Sequence, residues 1–205
     1  VLFISEIEET YDQIFPYILC PKALFIDIIT INNIRGETMY PDLVDDTSRH
    51  AAEEVLSRII AFSPAQWALG QPSHREEWEV IATLYQSCVA IYCILSLQEL
   101  SLLPPTPDLQ AIRIAYGGTL LALLDRGLSS LYVSKFMTWP LIIAGVEAVH
   151  RGKGTQSRVA DALESLGVKT GTSTPQIARA RLEVFWASGK KGWDDCFDRP
   201  YAFVV

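Results

Sequence analysis

The sequence predicts an all-α protein, an irregular multi-helix bundle of about eight or nine helices around a long buried central helix. Three observations carry this. Apolar residues recur at helical spacings from end to end, and the alternation of a half-buried strand is nowhere sustained. Hydroxyl-proline pairs at Thr106-Pro107 and Thr174-Pro175, and Pro140 behind Thr138-Trp139, mark helix starts, because proline's fixed φ and missing N–H fit only the first turn. One segment, Ile81 to Gln98, has no charged residue and reads as a rod buried on all sides.

In chain order, Ser5 and Glu8 form a capping box for a short helix that should fade near Phe15-Pro16. Pro21 opens the next helix, with Leu24, Ile28 and Ile31 on one face and Gly36 at its end. Met39 to Asp46 is a polar loop around Pro41. Residues 47–61 place Ala52, Val55, Leu56, Ile59 and Ile60 on one stripe, with Glu53, Glu54 and Arg58 opposite. Ser73 and Glu76 make a second capping box, opening the longest helix. In that helix Trp78, Ile81, Tyr85, Cys88, Tyr92 and Leu95 form one seam at spacings of three and four.

Residues 103–107, Leu-Pro-Pro-Thr-Pro, are the clearest internal break, and the helix they open runs through Leu124. Gly117-Gly118 within it invites a kink or a close helix crossing. The helix starting at Trp139 or Pro140 carries Ala144, Gly145 and Ala148, small enough for a neighbour to approach, and ends near Gly152. A short helix at 156–166 closed by Gly167 follows. Thr174-Pro175 opens the last long helix, where Arg179 and Glu183 can pair.

The 205 residues suit a single helical domain with a sizeable core, and 49% hydrophobic against 20% charged residues leaves apolar surface for partners. A net charge of −7 argues against binding phosphate backbones, which needs clustered Lys and Arg. The uncharged stretch approaches the length of a membrane span. Polar residues interrupt it and no basic residue flags a cytoplasmic side, so a buried bundle helix is the better reading and no membrane contact is expected. Cys20, Cys88, Cys93 and Cys196 show no metal spacing and read as structural thiols. The apolar opening followed by Ser5-Glu6-Ile7-Glu8 reads as a chain cut inside a larger helical region.

Several of these pieces, taken in order, resemble a known family. They are Cys20-Pro21 leading into Leu24–Arg35, Ala51–Ile60, and Trp78–Leu97 with its Tyr85-Gln86 and Ile91-Tyr92. Trp139-Pro140, Phe185-Trp186 and Trp193-Asp194 complete the series. The chain resembles the C-terminal half of the fungal-specific transcription factor domain, the regulatory region of fungal zinc-cluster transcription factors. The resemblance implies a nuclear protein that controls transcription through dimerisation, co-regulator contact or a small hydrophobic effector. No zinc cluster is present in this chain, so direct contact with nucleic acid is not expected from it.

Few patterns point to covalent chemistry. Asp194, Asp195 and Asp198 fit a D-D-x-x-D arrangement that holds Mg²⁺ and a diphosphate in some all-helical synthases. The partner motif is only approached at Asp45 to Glu53, in reversed order, so an acidic solvated end is the default. His50, His74 and His150 stand far apart, with bland roles at helix ends, and no nucleophile elbow or phosphate loop occurs. No catalytic residue and no cofactor is expected. Tyr85, Tyr92, Met137 and Trp139 are suited to line an apolar effector pocket between helices, although seams of this spacing are usually core. The rival reading is a stand-alone helical protein of fungal secondary metabolism that binds a metabolite or steers its cyclisation by shape.

Overall fold

The computed structural model describes residues 4–38 and 45–197, with side chains from residue 9 onward. Among these residues lie ten α-helices and no strand: α1 Ile4–Ile18, α2 Lys22–Glu37, α3 Asp46–Ala61, α4 Pro64–Leu69, α5 Arg75–Glu99, α6 Pro107–Ser129, α7 Thr138–Glu147, α8 Lys153–Thr170, α9 Thr174–Ser188 and α10 Trp193–Cys196. Single turns of 3-10 helix, Ser134–Phe136 and Ala148–His150, flank α7.

Helix α5 is the axis. From Val80 to Leu97 every residue except Thr83 is buried, and α2, α3, α4, α6, α7 and α10 all pack against it. It is the one described helix long and apolar enough to cross a membrane as a single segment, and 94% of its apolar window lies inside the protein. A second group forms beyond α7, where α8 and α9 pack on α7 and on each other.

Local signals placed several helix starts, while α6 runs on to Ser129 and α8 begins at Lys153. Thr106 accepts from the Leu109 N–H at 3.3 Å with Pro107 in the first turn, and Pro175 occupies the first turn of α9. Arg179 donates to Glu183 at 2.7 Å as the spacing predicts. Other signals were overridden. Helix α1 passes through Pro16 to Ile18, where Ile18 is buried and its carbonyl accepts from Tyr85, while Pro16 and Tyr17 face solvent. Ser5 already lies inside α1, and the Ser5 and Glu8 side chains fall outside the described residues, as does most of the loop around Pro41. The Ser73 capping box does not form: His74 caps α5 from a left-handed conformation, φ 54°, and Glu76 instead pairs with Arg126 at 3.2 Å. Gly167 sits inside α8, which ends at left-handed Gly171; the space a Cβ would take at Gly167 is filled by Gln176 of α9. Ile60, assigned to the buried stripe of α3, is 43% exposed.

Helix ends leave carbonyls without an intrahelical partner, and four of these ends are satisfied by side chains from elsewhere in the fold. Tyr85 donates to the Ile18 carbonyl of α1 at 2.8 Å, and Arg35 to Ser96 near the end of α5 at 2.7 Å. The Trp186 indole donates to Gly145 of α7 at 2.9 Å. Gln86 from α5 donates to Ile59 at 2.9 Å and to Phe62 at 2.8 Å, closing the end of α3. Gln86→Leu roughly keeps the volume and removes both bonds, leaving the Phe62 carbonyl without this donor and Ile59 with only the Phe62 N–H at 3.4 Å, so a loss of about 1–3 kcal/mol is expected. Amide exchange should speed most in the last turn of α3.

His150 follows the buried carboxylate Glu147 in the 3-10 turn after α7. Desolvation, reinforced by Arg113, Lys191 and Arg151, pushes its imidazole down to about 4, so it is neutral at pH 7 and does not act as a cation at a helix end. The unfolded chain, with an ordinary imidazole near 6.5, binds the proton first. Stability should therefore fall as pH drops from about 6.5 toward 4, and His150→Gln should flatten that part of the denaturation profile.

Candidate functional site

The four side chains proposed to line a pocket do not converge on one site. Tyr85 and Trp139 meet in a stacked pair, centroids 5.6 Å apart and planes 16° from parallel. Burial raises the Tyr85 phenol, and its hydroxyl is committed to Ile18. Met137 is fully buried and fills the space beside Gly127, where a Cβ would come within 2.7 Å of its sulfur. Tyr92, two turns along α5, packs at 4.6 Å on Trp193 and donates to Asn32. Burial pushes its phenol up to about 12.

The aspartates at the far end are engaged as ion pairs. Asp194 binds Arg35, and Asp195 accepts from Lys190 at 2.8 Å and from the Gly192 N–H at 3.1 Å. Asp198 lies outside the described residues. Among the described residues no three of His, Cys, Asp or Glu gather as metal ligands. The four cysteines are free and buried, and burial pushes every thiol up, Cys196 to about 12, which keeps them protonated at neutral pH.

Concavity lies elsewhere. A shallow cleft of about 340 Å³ opens between α3 and the start of α6, lined by Leu56, Ile60, Leu103 and Ile112 among others. A larger one, about 410 Å³, opens where the end of α1 and the start of α5 meet the connection from α6 to α7. Its inner wall is aromatic. Phe15 stacks on Trp78 at 6.0 Å, and both rings meet Trp67 edge-on at 6.2 and 5.8 Å. Phe136 and Tyr132 add to the aromatic lining, and the exposed His74 and Lys135 form part of its rim. Glu77 accepts from the Ser130 hydroxyl at 2.6 Å, and that oxygen accepts from the Tyr132 and Val133 N–H groups at 3.1 and 3.2 Å. The connection is thereby pinned to α5. Periodicity did not reveal this cleft, since its walls come from three segments. The usable signal was the aromatic pair Tyr132 and Phe136 in a connection between helices, where packing alone does not require them.

The fungal specific transcription factor domain matches residues 2–202 of the chain. A phomenoic acid biosynthesis cluster-specific transcriptional regulator from Leptosphaeria maculans is 41% identical over 191 residues, covering 93% of this chain and 37% of that protein. The chain thus spans little more than a third of the length of the curated relative it matches. No solved structure matches it significantly. Because the similarity runs through every helix from α1 to α10, the chain belongs to the fungal specific transcription factor domain family.

Proposed function

We propose that the chain is the regulatory region of a nuclear transcriptional regulator dedicated to one set of biosynthetic genes. The observation that carries this is the 41% identity across 93% of the chain to a cluster-specific regulator. A net charge of −7 disfavours attraction to a phosphate backbone, and the part assigned to this region is control of activity. A small apolar effector is the input to this region, and a second copy or a co-regulator protein is its output. An effector works here only by binding one arrangement of the helices better than another.

Deleting the codons for residues 1–205 from the gene in its host and profiling transcripts tests the reading. Altered expression confined to a group of adjacent biosynthetic genes is expected. An unchanged profile under conditions where those genes are active would overturn it.

A further inference from the structure

We propose that the cleft between α1, α5 and the α6–α7 connection binds a small, mostly apolar molecule bearing a carboxylate. Three features of the cleft support this together. Its volume, about 410 Å³, falls within the range of small-molecule sites, and its lining is predominantly aromatic and aliphatic. Phe15 and Trp78 are held in place by stacking on each other and by edge-on contact with Trp67, so the apolar wall is formed before any ligand arrives.

The second feature is backbone strain. Among the described residues only Leu19, His74 and Ser101 hold positive φ without being glycine, and two of them, Leu19 at 49° and His74 at 54°, line this cleft. Such conformations carry backbone strain and collect where a site must hold a shape that the chain does not prefer. His74 also packs on Tyr132 in a tilted pair, centroids 4.5 Å apart, so the strained start of α5 carries one side of the mouth.

The third feature is charge. Glu77, the acidic group of the lining, accepts from the Ser130 hydroxyl and keeps its charge on the α5 side of the cleft, whereas Lys135 is on the α6–α7 connection. Lys135 lies 4.9 Å over the Phe136 ring and has no ion pair among the described residues. An ammonium over an aromatic face at the mouth of an apolar cleft suits an anion whose body enters and whose carboxylate stays at the rim. The inference concerns binding to the chain itself and holds whether or not the chain regulates transcription.

The test uses 8-anilinonaphthalene-1-sulfonate as a fluorescent apolar anion, displaced by decanoate or by decanol. Lys135 is exposed, so Lys135→Gln should melt like the parent, whereas Tyr132→Ala, which removes the contact with His74, should stay folded with a slightly lower Tm. One saturable site is expected, with decanoate displacing the dye better than decanol. Lys135→Gln should weaken decanoate by about fivefold and leave decanol unchanged, the size of one partly exposed charge contact. Tyr132→Ala should weaken both competitors. Dye binding that neither variant alters, or equal competition by decanol and decanoate, would overturn the proposal.

Discussion

Replacing Glu147 with leucine is expected to cost about 3–5 kcal/mol of stability, the largest loss we anticipate from a single substitution here. Glu147 has no solvent exposure and holds two guanidiniums: Arg113, itself 7% exposed, and Arg151, whose Nε donates at 3.1 Å. Arg151 also donates to the Ile114 carbonyl at 2.7 Å, tying the end of α7 to α6. Burial pushes the Glu147 carboxyl up, and the two arginines draw it back by stabilising its charge. Removing the carboxylate leaves Arg113 charged and enclosed, which is why the loss exceeds the value of any one hydrogen bond. The double variant Glu147→Leu/Arg113→Met should recover much of the loss, because an apolar pair needs no desolvation of charge. Urea denaturation of the two singles and the double measures this. Strictly additive losses would show that the two groups do not depend on each other.

Gly145→Val should destabilise by about 3 kcal/mol, at the upper end for overpacking. A Cβ at Gly145 would lie 2.4 and 2.8 Å from the two methyl carbons of Leu182, a side chain with no exposure. The same close approach lets the Trp186 indole reach the Gly145 carbonyl. Glycine here gives up about 1 kcal/mol of helix propensity, and the α7–α9 contact recovers it. In the Leu182→Ala background the valine should cost less than it does in the parent, since the added methyls then enter a cavity. Thermal melting should show Gly145→Val lowering Tm by roughly 6–12 °C in a chain of this size. An equal cost in both backgrounds would separate the effect from Leu182.

Legibility followed the range of the forces involved. Thr106-Pro107 marked a helix start through a side-chain cap and Thr174-Pro175 through proline geometry alone, because both act within a few residues. Ser63-Pro64 has the same signature and opens α4, a helix that the periodicity reading passed over because it is six residues long. Small residues in α7 announced a close neighbour without naming it, and the neighbour is α9. Gly167 misled, since a glycine that ends a helix and one that admits a neighbouring side chain look the same in one dimension.

The sequence by itself determined the helical class, the buried rod of α5 and the family, because apolar periodicity and local capping are written in neighbouring residues and survive without knowledge of the fold. Only the tertiary structure decided which helix ends are closed by Tyr85, Gln86, Arg35 and Trp186, that Glu147 meets Arg113, and where the aromatic cleft opens. Those contacts join residues from separate helices, up to 67 positions apart in the case of Tyr85 and Ile18. Their energies depend on burial and distance in space, which no local pattern encodes.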